Sequence, residues 1–73
     1  MNLYLLKRND YCDWDEYNSF VVRAKDFDSA LKICQEVACH WNGETYFIDI
    51  TIEPLAFNVE GEEDIILSDF NAG

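Results

Sequence analysis

Cys12, Cys34, Cys39 and His40 are the side chains of this sequence with an affinity for soft metals. Zinc takes thiolate and imidazole ligands, but its structural sites are usually closed by paired C-x-x-C steps, and this chain has none. Cys34 also falls on the apolar stripe of a helical pattern, while Cys39 and His40 fall off it, so Cys34 reads as a small core hydrophobe. Hard-cation chemistry is offered by DYCDWDEY, residues 10–17, through Asp10, Asp13, Asp15 and Glu16. The stretch lacks the sharp-turn glycine and the bidentate glutamate of a calcium loop. A calcium-loaded loop stays an alternative, but the expectation is no metal and no other cofactor. Catalysis is not expected either, because covalent or acid–base chemistry needs a nucleophile beside an oriented base. The lone histidine, His40, reads instead as a solvated residue at a helix end, favourable to the helix dipole. The three glycines, Gly43, Gly61 and Gly73, make no phosphate-binding loop.

What remains is negative charge. Fifteen acids face five bases, for a net charge of −10. All five bases, Lys7, Arg8, Arg23, Lys25 and Lys32, precede residue 33, and the rest of the chain holds nine acids and no Lys or Arg. Direct nucleic-acid binding is disfavoured, since phosphate contacts need Lys and Arg. Two acidic clusters stand out: Asp10, Asp13, Asp15 and Glu16, and then Glu60, Glu62, Glu63 and Asp64. Between them in sequence, Asp49 and Glu53 fall on the polar face of a strand, where alternate residues repeat every ~6.6 Å. Such a ladder of carboxylates suits a basic groove built for nucleic acid. Tyr11, Trp14 and Tyr17 then serve as buried anchors in the contact, with the charge steering the encounter. A plainer reading stands beside this one: the acids are a solvated rim that keeps the chain soluble, and Trp14 and Tyr17 fold back as a lid over a small core.

These groups need a scaffold, and 73 residues suffice for a single domain spanning 1–73. A chain of this size buries only ~60% of the surface exposed when unfolded, which favours a staple or a partner. LYLLKR (3–8) reads as a first strand, with Tyr4 and Leu6 on one face and Leu3 and Leu5 on the other, as in a strand covered on both sides or lying near a partner. SFVVRA (19–24) reads as a second, with Phe20, Val22 and Ala24 on one face. The acidic loop makes a wide hairpin connection between them. Asp26 caps a helix whose stripe runs through Phe27, Ala30, Leu31, Cys34, Val37, Ala38 and Trp41, ending at Asn42-Gly43. TYFIDITIE (45–53) alternates as a third strand, with Tyr46, Ile48, Ile50 and Ile52 inward and Phe47, Asp49, Thr51 and Glu53 outward, until Pro54 stops it. A short fourth strand covers Ile65 to Leu67. Phe70 then pins the chain end, or Asn71-Ala72-Gly73 frays. The expected fold class is α+β: a small, mainly antiparallel sheet in the order ββαββ, covered on one face by a single helix.

Cys12, Cys34 and Cys39 have no disulfide-framework spacing. The opening MNLYLLKRND has too short an apolar run for a signal peptide, and no stretch reaches the ~18 apolar residues of a membrane span. The expected setting is therefore cytoplasmic and reducing, with no membrane partner.

Three segments, NLYLLKRND, DEYNSFVVRAKDFDSALKI and IILSDFNAG, resemble a set of very small bacteriophage and prophage accessory proteins. Those open on an L-Y-L strand, continue through an acidic D-x-Y-x-S/A-x-V-V segment and often close on an S-F-N-A-G-like tail. Here Asp69 stands between Ser68 and Phe70, and the helix carries Cys and Trp where the set is more polar. The resemblance implies a phage origin. It also implies stoichiometric, non-enzymatic inhibition of a host defence protein in the bacterial cytoplasm, as anti-CRISPR proteins and DNA mimics do. The implied partner is a basic nucleic-acid-binding protein or ribonucleoprotein complex. The alternative is a small homo-oligomeric accessory protein, a homodimer for instance, whose first strand and Trp41 form a self-interface.

Overall fold

A computed structural model describes residues 1–71 of the chain; Ala72 and Gly73, for which fraying was one of two alternatives, lie outside the described residues. The elements are β1 (Asn2–Arg8), β2 (Glu16–Ala24), α1 (Phe27–Val37), β3 (Ile50–Ala56) and β4 (Asp64–Asn71). They form a small α+β fold with one four-stranded antiparallel sheet, in the order β3-β1-β2-β4, and one helix. Side-chain alternation divides the sheet into two faces. Tyr4 and Leu6 of β1, with Phe20, Val22 and Ala24 of β2, are buried beneath Ala30 and Cys34 of the helix. The Asp26 carboxylate caps α1 by accepting from the Ser29 N–H at 2.8 Å, and this bond holds the Asp26 carboxyl below the usual carboxylate range. The Tyr4 and Phe27 rings meet at 4.9 Å. Burial pushes the Cys34 thiol up to about 12, so it behaves as a neutral hydrophobe.

The helix is shorter than its stripe. It stops at Val37, and Ala38 is its C-cap. Residues 39–45 turn back as a tight hairpin, with a Cys39–Thr45 bridge and a 2.7 Å bond from the His40 N–H to the Glu44 carbonyl. The Thr45 hydroxyl donates to the Ala38 carbonyl at 2.8 Å and so closes the helix end. Gly43 takes a positive φ of 86° inside this turn, so Asn42-Gly43 turns the hairpin instead of ending the helix. Trp41, expected on the apolar stripe, is 99% exposed.

The third strand is displaced toward the C-terminus. It begins at Ile50, and the alternation ahead of it is reversed: Phe47 is fully buried while Ile48 is 69% exposed. Residues 46–49 lack ladder partners, so no pleat fixes which side they show. Phe47 instead turns under the helix end, edge-on to Phe20 at 5.2 Å, and its carbonyl accepts from the Gln35 side chain at 3.0 Å. Pro54 does not stop the strand. It lies within β3 opposite Tyr4, which is tolerated because β3 is an edge. β4 runs well beyond Leu67, and Ser68–Asn71 pair with Glu16–Phe20 of β2.

Candidate protein-interaction surface

The strand register separates the two acidic clusters. Arg8, Glu16, Ile50 and Asn71 lie at one end of the sheet, while Leu3, Ala24, Ala56 and Asp64 lie at the other. The 9–15 loop leaves the first end and the 57–63 loop the second, separated by the length of β1, roughly 20 Å.

At the first end everything is built on Arg8. Alternation carries Arg8 to the core face after Tyr4 and Leu6, and its side chain is buried. All five of its N–H donors are used. Nε and Nη2 grip Asp10 at 2.8 and 3.1 Å, Nη1 meets Glu16 at 3.0 Å and the Tyr17 carbonyl at 3.5 Å, and Nη2 also takes the Tyr11 carbonyl at 2.7 Å. The guanidinium lies 4.9 Å from the Tyr46 ring centroid, a cation–π contact. The hydrogen bonds to Asp10, and then those to Glu16, raise the Arg8 pKa against the effect of burial. Reciprocally, Arg8 holds the Asp10 carboxyl below its ordinary range. Glu16 accepts further from the Asp13 N–H at 3.0 Å, and its second oxygen is 3.7 Å from Nε2 of His40. His40 is exposed, as expected, but it lies beyond the helix rather than at its end and packs beside Tyr46 at 4.9 Å. The Tyr46 hydroxyl accepts the Tyr17 N–H at 2.8 Å, and burial pushes its pKa up.

This network fixes the loop. The Asn71 carbonyl accepts the Asp15 N–H at 2.6 Å, and the Asn71 side chain donates to the carbonyls of Cys12 and Asp13. Of the two alternatives for the chain end, pinned or frayed, Asn71 takes the first and is a strut. Asp15 has a positive φ of 57°, which Asp accepts more readily than most residues. From this pinned backbone Tyr11 and Trp14 project into solvent, 75% and 66% exposed. Tyr17 does not join them: it stacks on Phe20 at 5.0 Å and against Phe70 at 4.8 Å, as part of the lid. The octapeptide therefore splits. Asp10 and Glu16 pair with Arg8 and Tyr17 covers the core, while Tyr11, Asp13, Trp14 and Asp15 face outward. Trp41 and Ile48, on the segment that leads into the same end of β3, add exposed apolar surface there. Their apolar identity had pointed to the core, so no sequence signal marked them as surface.

The second end is built differently. Arg23 donates from Nε to the Glu62 carbonyl at 2.6 Å and lies against Gly61, whose φ is +118°. The Lys25 N–H reaches the Glu63 carboxylate at 3.3 Å, and the Val59 N–H reaches the Met1 carbonyl at 2.7 Å. The loop is held mainly by its backbone, and Glu60, Glu62, Glu63 and Asp64 remain exposed. Among the described residues, the only carboxylates in ion pairs are Asp10 and Glu16. Glu53 projects from β3 on the uncovered face opposite Leu5. Asp49 lies just outside that strand, where its carboxylate accepts from the Asn9 side chain at 3.3 Å. The expected carboxylate ladder along one strand is thus cut to Glu53 alone.

Cys12 is half-buried and Cys39 exposed, and among the described residues no three metal-ligating side chains converge. No helix among them is long and apolar enough to cross a membrane. The chain matches no family model, no curated protein and no solved structure.

Proposed function

We propose that this chain is a non-enzymatic inhibitor of phage origin. Its acidic surface occupies the basic groove of a nucleic-acid-binding host protein, with a CRISPR effector complex as the foremost candidate, in the bacterial cytoplasm. The observation that carries the reading is the pairing of exposed aromatics with unpaired carboxylates on an ordered loop: Tyr11 and Trp14 stand out beside Asp13 and Asp15. A loop already fixed loses little entropy on binding, so its anchors are preorganised. The second acidic end lies far enough away to meet another part of the same groove. In this mode charge sets the association rate and the aromatics set the dissociation rate.

The test is competition. The protein is mixed with a purified effector complex and its target DNA over a salt series. The reading requires displacement of the DNA and an affinity that falls steeply with salt, as in charge-dominated interfaces. Asp13→Lys with Asp15→Lys slows association, and Trp14→Ala speeds dissociation. Displacement that ignores salt, or no displacement from any basic nucleic-acid-binding protein tried, overturns it.

A second reading has its own observation. The uncovered face of the sheet carries an apolar centre of Leu3, Leu5, Val21 and Leu67, and a second copy of the chain can cover it. Sedimentation decides: a concentration-independent monomer removes this self-association.

A further inference from the structure

The two edges of the sheet are unequal. β3 is interrupted by Pro54, which has no N–H to donate, and by a register shift beside Leu3 and Tyr4. β4 carries no Pro, Lys or Arg, the residues that usually blunt an edge. Its ladder with β2 shifts register twice, between Val21 and Val22 and between Tyr17 and Ser19, and Leu67–Asn71 run on as an exposed edge. Among the described residues no strand pairs with its outer side. A concavity of about 390 Å³ on the uncovered face reaches this stretch and is lined by Leu5, Val21, Leu67 and Asp69 among others. A second, of about 330 Å³, is lined by Cys12, Asn18, Asp69, Phe70 and Asn71. Asp69 borders both. A strand added to this edge sends alternate side chains to opposite faces, one set of them toward the concavity on the uncovered face.

We infer that the outer edge of β4, over Leu67–Asn71, takes an extended basic segment of the partner as a fifth strand. The argument for that occupant is charge. Asp64 and Asp69 lie on β4, Glu62 and Glu63 precede it, and no Lys or Arg follows residue 32. A second copy of β4 brings acid onto acid within a chain of net charge −10, and like charges across strands are unfavourable. A segment alternating Lys or Arg with small apolar residues lays its cations along the face that carries Asp69 and its apolar side chains along the opposite face, beside Phe70. The inference rests on the acidic-surface reading above and adds the backbone to it as a second source of affinity.

The experiment compares two blocked octapeptides of alternating Lys and Val. They carry the same charge, but one is N-methylated at every residue, which removes its backbone donors. Titration into the intact protein is followed by calorimetry and by amide exchange. The expected result is binding of the unmethylated peptide, at least tenfold loss on methylation, and slowed exchange confined to β4. Equal binding of both peptides overturns the added strand and leaves the acidic-surface reading standing. Binding of neither also overturns it, and retention of the protein on immobilised polylysine in the same buffer then shows whether the acidic-surface reading survives. Doubling of mass with concentration, with β4 amides protected in the absence of peptide, overturns it in favour of a second copy.

Discussion

Arg8 and Arg23 each stand at one end of the sheet beside a run of carboxylates, and they treat those carboxylates differently. Arg8 is buried and spends its donors on the Asp10 and Glu16 side chains as well as on loop carbonyls. Arg23 is half-buried and holds its loop through the Glu62 carbonyl, leaving the neighbouring carboxylates outside any ion pair. The first end is a folded polar core that displays two aromatic rings. The second is a charged loop anchored by backbone hydrogen bonds. Local acidity in sequence therefore does not measure available charge. What matters is whether a buried cation lies within reach, and alternation along β1 delivers Arg8 to the interior.

The sharpest way to break this comparison is to remove the two arginines. Arg8→Ala leaves Glu16 buried without its cation, and truncating one member of a buried pair typically costs about 3–5 kcal/mol. Arg23→Ala removes one hydrogen bond at a partly exposed site and should cost about 1 kcal/mol. Urea midpoints of the two variants should differ accordingly; equal losses would erase the distinction between the ends. Gly61→Ala comes next. A Cβ there meets Cζ of Arg23 at 2.5 Å, and φ is +118°, so a loss on the order of 1–3 kcal/mol is expected. The same thermal melts should show Gly43→Ala costing less, since nothing lies within 4 Å of its Cβ.

Smaller effects sharpen the contrast. Charge reversal at Glu60 and Glu62 should leave stability within about 0.5 kcal/mol or raise it slightly at low salt, because it relieves repulsion on the exposed loop. Any gain should vanish in high salt when followed by chemical denaturation. The smallest effect is a pH signature. Asp10 has its folded pKa depressed by Arg8, and Asp26 by the Ser29 N–H. Each stabilises the fold above the unfolded carboxylate value, and that contribution is lost as pH falls through the lower folded value. Asp10→Asn and Asp26→Asn should each flatten the acid limb of a stability–pH curve, and together more so. An unchanged limb would mean that neither bond favours the ionised carboxylate.

Much of the fold was legible in the sequence because its signals are local. The alternation of Tyr4 and Leu6, the run Phe20, Val22 and Ala24, and the Asp26 cap each need only a few adjacent residues. The misreadings arose where the deciding contact lies outside the segment's own periodic pattern. Trp41 continues the helical stripe, but the Thr45 hydroxyl and the Cys39–Thr45 bridge end the helix first. Phe47 and Ile48 exchange sides because the ladder starts only at Ile50. The extent of β4 was invisible because its partners, Glu16 to Phe20, lie some fifty residues earlier in the chain.

The same division holds for the candidate interface. Sequence alone determined the excess of negative charge, its concentration after residue 32 and the aromatic content of the 10–17 stretch, because composition is independent of conformation. Tertiary structure decided which of those groups are available. Arg8 pairs with Asp10 and Glu16, Phe20 and Phe70 take Tyr17, and the register of four antiparallel strands sends the two acidic runs to opposite ends. Such contacts join residues far apart in the chain, and only the folded backbone brings them within the few ångströms at which hydrogen bonds and ring contacts act.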